Sequence, residues 1–167
     1  MKIKMKIMIC LLVGFIVAVA AVCLAFAHNR HDENVVMKFA LYSTGTSDGT
    51  HYFELDKSGI LKFEYGTSKG NAGKNIRYRN FMEEVRESSD RKLSEEELQT
   101  IMDLANAVDF LNYNLKKHIV YGGNYVVFWY KGRVHEGHYD VDRDSIAFTN
   151  LMEKFIELSP VPITWYP

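Results

Sequence analysis

Apolar and polar residues alternate from Val35 to Tyr42, with Val35, Met37, Phe39 and Leu41 sharing one face, and a period of two predicts a half-buried strand. After the turn-rich stretch Ser43 to Thr50, alternation resumes over His51–Asp56, with Phe53 and Leu55 inward. Asp56-Lys57-Ser58-Gly59 has the composition of a type I turn closed by a glycine bulge. It leads into Ile60–Tyr65, where Leu61, Phe63 and Tyr65 point inward, so three antiparallel strands are expected to follow one another as a meander.

The pattern dissolves from Gly66 to Leu93, which reads as an irregular segment with a basic half and an acidic half that begins at Glu83. Phe81, Met82 and Val85 suit a short helix docked on the sheet, leaving Thr67 to Lys74 as the loop proper. Ser94-Glu95-Glu96-Glu97 is a capping box. Leu98, Ile101, Met102, Ala105 and Val108 follow at helical spacing, which predicts an amphipathic helix from about Glu95 to Val108.

Asn124 to Tyr139 is the most strongly apolar stretch beyond the amino terminus. Two runs of β-formers flank Lys131-Gly132 and predict a hairpin, with Trp129 opposite Val134, Phe128 opposite His135 and Tyr125 opposite His138. Both faces of its first strand are apolar, which places that strand inside a sheet beside a more exposed neighbour. A second helix is expected from about Ser145 to Leu158 on the stripe Phe148, Leu151, Met152, Phe155 and Ile156, ended by Ser159-Pro160. The order β-β-β-α-β-β-α predicts an α+β domain, an antiparallel sheet of about five strands with two helices on one face. The other face is expected to be partly covered by the carboxy-terminal tail or by a partner.

The amino terminus changes the setting of that domain. Lys2, Lys4 and Lys6 precede an uncharged stretch from Ile7 to Ala27, long enough as a helix of roughly 30 Å to cross a bilayer, with the lysines on the cytoplasmic side. Residues 1–27 are therefore expected to be a signal peptide or a signal anchor, 28–34 a polar neck, and 35–167 one domain outside the cytoplasm. The length of the apolar run favours a retained membrane anchor, and Ala25-Phe26-Ala27 offers a cleavage site as the alternative. Both cysteines, Cys10 and Cys23, fall in this stretch, so the exported part carries neither disulfides nor thiolate ligands. Without the three lysines, 17 Lys and Arg stand against 21 Asp and Glu, a balance of −4 that argues against nucleic acid as a partner.

Candidate chemistry is sparse. Ser68 to Asn75 nearly matches a phosphate-binding loop, but it lacks glycine at position 68 and a hydroxyl at position 75. Lys69, Lys74, Arg77 and Arg79 are the candidate binding residues of this flexible basic loop, with an envelope protein as the expected partner. His135-Glu136-Gly137-His138 has metal-like spacing, but residues three apart on a strand face opposite sides. A site there needs a bulge at Gly137 and a third ligand, for which Asp140, or His118 from the preceding loop, would have to converge. Asp140, Asp142 and Asp144 alternate like the start of a calcium loop but lack its glycine and its closing glutamate, so Asp142 or Asp144 reads as the cap of the second helix. No nucleophile elbow is present and no cofactor is implied. The order of capped helix, aromatic hairpin and terminal helix from Ser94 to Leu158 loosely resembles emfourin, a small bacterial inhibitor of thermolysin-type metalloproteases; the resemblance implies inhibition of an exported protease. The residues themselves point first to a non-enzymatic cell-envelope binding module, with inhibition second and a surface metal-dependent hydrolase third.

Overall fold

The computed structural model describes residues 33–43, 45–78, 80–110, 124–139 and 146–163, together with Phe15 and Val19. Six strands build one antiparallel sheet: β1 (Val35–Ser43), β2 (Thr50–Asp56), β3 (Ile60–Ser68), β4 (Met82–Lys92), β5 (Asn124–Tyr130) and β6 (Arg133–Tyr139). Their order across the sheet is β4-β3-β2-β1-β5-β6. Among the described residues from Glu33 onward the helices are a single turn, α1 (Ala72–Asn75), and two longer ones, α2 (Glu95–Phe110) and α3 (Ile146–Glu157). The α+β class holds, with six strands where the hydrophobic pattern gives about five. Among the described residues no helix is long and apolar enough to cross a membrane. The segment 7–27, apart from Phe15 and Val19, lies outside them.

Local chemistry sets the connections. Lys131 and Gly132 both have positive φ, 48° and 78°, the backbone of a type I′ turn whose twist matches the strands it joins. The β5–β6 register runs without interruption and pairs Trp129 with Val134, Phe128 with His135 and Tyr125 with His138, as the sequence predicts. At the start of α2, Glu97 N–H donates to Ser94 Oγ at 3.2 Å and Ser94 N–H donates to Glu97 Oε2 at 2.8 Å, closing the capping box.

One face of the sheet carries the main core. Phe39, Phe53, Phe63 and Phe128 pack against Ile101, Ala105 and Val108 of α2 and Phe148, Leu151 and Phe155 of α3. Phe155 stacks on Phe39 at 5.2 Å between centroids. The tail residues Val161 and Ile163 join this same cluster, so they do not cover the opposite face as the hydrophobic pattern suggests.

That second face is covered by the chain between β3 and β4. Ala72, Ile76 and Phe81 lie on Ala40, Tyr52, Val127 and Trp129 in a second apolar cluster. The stretch therefore acts as a cap on the sheet, and β1 is buried on both faces instead of one. An irregular register between Val35 and Met37 also turns Val35 onto the capped face, away from the Met37 face that strict alternation assigns it. The helix expected around Phe81, Met82 and Val85 is instead the beginning of β4.

Burying β1 on both faces encloses Lys38, which is 0% exposed. Its ammonium donates to the Tyr78 carbonyl oxygen of the cap at 2.9 Å and lies 3.5 Å from Glu54 Oε2. Glu54 in turn accepts from the Tyr52 hydroxyl at 2.7 Å. A buried charge held by a counter-ion and a backbone acceptor fixes where the cap can sit.

Candidate functional site

Two chain segments, the β1–β2 turn and the loop that follows β3, meet at one end of the sheet. Ser47 and Thr50 pin the β1–β2 turn to the end of β3: Ser68 N–H donates to Ser47 O at 3.0 Å, and the Thr50 hydroxyl bridges Ser47 O at 2.8 Å and Ser68 Oγ at 2.9 Å. The glycine loop beyond Ser68 is likewise tied down. Lys69 N–H donates to Phe81 O at 3.0 Å, Asn71 takes a left-handed backbone with φ 61°, and the Asn75 amide closes the loop onto Gly70 O. At Gly73 the cap approaches β6 so closely that a Cβ would run into the Glu136 carboxylate.

Between the turn and the loop lies an open groove of about 240 Å³. Its floor and walls come from Tyr42, Thr46, Ser47, Ser68, Lys69 and Asn71. Tyr42 stacks obliquely on Tyr125 at 5.2 Å. Burial, and then the neighbouring Tyr125 and Glu136, push the Tyr42 phenol far above its ordinary pKa, so it stays a neutral hydrogen-bonding group. Tyr125 is raised by burial and by Glu136. The groove thus offers hydroxyls, one aromatic wall and one cation. It is smaller than the pockets that bury whole cofactors, and it suits a side chain, a turn or one sugar ring projecting from something larger.

A second concavity, about 390 Å³, lies on the capped face beside the cap, bounded by Glu54, Asp56, Ile60, Lys62 and Asp90. Across it the register sets Lys38, Glu54, Lys62 and Asp90 in one row of alternating charge. Such a row neutralises itself and marks a structural ladder of cross-strand pairs.

Of the basic residues singled out in the sequence that fall among the described residues, only Lys69 lines the groove. Lys74 and Arg77 are exposed on and after α1, and Arg79 lies outside the described residues. His135 is buried at 4% exposure against the Phe128 ring on the helix-covered face. The β5–β6 register runs through Gly137 without a bulge, and the His138 side chain lies outside the described residues. Asp140, with Asp142 and Asp144, lies outside the described residues, as do the neck positions 28–32. No cluster of three His, Cys, Asp or Glu side chains suited to a metal occurs among the described residues.

Tyr42, Thr46, Ser47 and Asn71 are not singled out by the sequence. The one signal for them is the density of Gly, Ser and Thr in STGTSDGT and SKGNAG, which marks two loops but not that they meet. Compared with protein-family models, curated proteins and solved structures, the chain matches none. The likeness to emfourin therefore rests on element order alone.

Proposed function

We propose that this chain is a non-enzymatic binding module of the cell envelope, carried outside the cytoplasmic membrane by residues 7–27, which engages an envelope protein through the groove beside the glycine loop. The observation that carries this reading is the groove itself. Two loops rich in Gly, Ser and Thr are fixed to each other by buried hydrogen bonds and leave an open, polar, Tyr-walled cleft between them. Fixed loops on a rigid sheet are where recognition surfaces are built. The net charge of the exported part, −4, leaves protein or glycan and not nucleic acid as the class of ligand.

The test fills the groove without disturbing the fold. Gly70 lines it, and a Cβ at that position meets nothing within 4 Å, so Gly70→Trp places an indole in the cleft. Ala107→Trp, at an exposed position of α2, is the matched control. Affinity capture from envelope extract of the native cell, read by mass spectrometry, is expected to return one stoichiometric partner with the wild-type and control proteins and to lose it with Gly70→Trp. A partner retained by Gly70→Trp, or no partner with any of the three, sinks the reading. A captured metalloprotease that the protein slows at near-equimolar ratio would replace accessory binding with inhibition.

A further inference from the structure

Among the described residues the strand β4 is the outer edge of the sheet and pairs only with β3. Its side chains are exposed along most of its length, and neither apolar cluster draws a buried residue from it. An edge of this kind presents unused backbone donors and acceptors, and proteins commonly blunt such edges with bulges and charge. The first half of β4 is blunted in this way. The register with β3 is irregular between Tyr65 and Gly66 and again between Thr67 and Ser68, and Arg86 is held beside its own chain by Asp48 at 2.7 Å and Glu84 at 3.4 Å.

The second half is different. Glu87 to Lys92 pairs with β3 residue for residue without a bulge. Its first five residues, Glu-Ser-Ser-Asp-Arg, are complementary to themselves when reversed. An antiparallel pair of identical edges related by a two-fold axis perpendicular to the sheet must set residues of the same face opposite each other. Centring the axis on Ser89 satisfies this and gives Glu87 opposite Arg91, Ser88 opposite Asp90 and Ser89 opposite Ser89, each charged or polar group meeting a partner of suitable kind. Beyond these, Lys92 falls opposite Arg86, whose charge Asp48 and Glu84 already balance. Moving the axis to Asp90 sets two carboxylates against each other, and moving it to Ser88 draws the irregular half into the ladder. Arg91 already binds Glu97 Oε1 of α2 at 2.6 Å, but its guanidinium has further N–H groups for a second carboxylate.

We propose that two copies of this chain join edge to edge through Glu87–Arg91, with Ser89 on the axis, so that their two six-stranded sheets become one continuous sheet. This surface is separate from the groove, so the two can fail independently. The full chain in mild detergent, with Cys10→Ser and Cys23→Ser removing the native thiols, provides the test. Ser89→Cys in that background is expected to form a disulfide-linked dimer under mild oxidation, while Ala107→Cys stays monomeric. Mixed Ser88→Cys and Asp90→Cys proteins are expected to crosslink to each other more readily than either does alone.

Charge reversal then asks whether the pairing is specific. Adding Glu87→Arg or Arg91→Glu to Ser89→Cys is expected to abolish the crosslink, because each sets like charges opposite one another. Mixing the two reversed proteins restores both opposite-charge pairs and should bring the dimer back. Each variant is first checked to be folded, by a wild-type far-ultraviolet circular dichroism spectrum and a cooperative unfolding transition. A monomeric Ser89→Cys protein, equal crosslinking by Ala107→Cys, or folded reversed variants that fail to recover on mixing would overturn the proposal.

Discussion

Truncating Phe81 separates a cap that belongs to the core from a loop that lies against it. Phe81 is 1% exposed, and its ring lies 5.0 Å from Tyr52 in a cluster that includes Trp129, Val127 and Ala40. Phe81→Ala removes a fully buried ring from a site whose floor is β-sheet and cannot collapse to fill the space, so the cost is about 3–5 kcal/mol. With a urea slope of about 2 kcal/mol per molar, the midpoint falls by roughly 2 M. If the cap opened separately from the sheet, the loss would be limited to its own smaller opening free energy.

Two probes distinguish these cases. Trp129 lies in the capped cluster, so in a Trp165→Phe background the tryptophan fluorescence follows the cap, whereas far-ultraviolet circular dichroism follows the whole sheet. In the wild type the two transitions are expected to coincide, and in Phe81→Ala both should move together. Val85→Ala is the internal control, since Val85 is 46% exposed on β4 and its loss should stay within about 0.5 kcal/mol. A Phe81→Ala midpoint within roughly 0.3 M of wild type would refute the placement of this segment as core, because that slope then leaves less than about 1 kcal/mol for the buried ring.

Close contacts and charge give further tests. At Gly66 an added Cβ would collide with the Glu84 carbonyl oxygen across the irregular β3–β4 register, so Gly66→Ala should cost about 1–3 kcal/mol and lower Tm by several degrees in calorimetry. An unchanged Tm would show that the two strands can move apart there. Lowering the pH should weaken the fold in two windows. Burial lowers the His51 pKa, against the opposing pull of Glu87, so its contribution is complete above about pH 6.5 and is lost as the pH falls through the lower folded value. The Ser94 N–H and then Arg91 lower the Glu97 pKa, and the Arg86 hydrogen bond lowers that of Asp48, so these contributions are present above about pH 4.5 and fade below it. His51→Gln should remove the upper decline and Glu97→Gln should lessen the lower one in midpoints measured from pH 8 to 3; unchanged profiles would contradict the assigned causes.

The parts of the fold legible in the sequence are those whose signal lies within a single element or turn. The β5–β6 hairpin, the capping box of α2 and the stripe of α3 are readable from turn chemistry, cap chemistry and a period of 3.6, all of them local signals. Lys38 shows how that logic fails. A lysine between Met37 and Phe39 reads as a solvent position, yet the cap encloses it and supplies the Tyr78 carbonyl that its ammonium needs. Nothing local to β1 signals this, because the compensating group lies forty residues away in the chain. The groove is hidden for the same reason, since its two loops are brought together only by the sheet between them.

The strand β4 fails for the opposite reason, and the same reason bears on what it does. MEEVRESSDRK has no hydrophobic alternation because it is exposed on both faces, so pattern reading returns a loop. The one available signal is negative: from Phe81 to Lys92 there is neither Gly nor Pro, in contrast to the glycine-rich stretch just before it. A strand with little apolar area to bury is held mainly by its backbone ladder and its cross-strand pairs. Its outward identity is then written in charge alone, and charge order is what lets an edge choose its partner. The acidic-to-basic run from Glu87 to Arg91, uninformative about whether a strand forms, becomes informative once the strand is known to be an edge, because only then does its reversed copy become a physical neighbour.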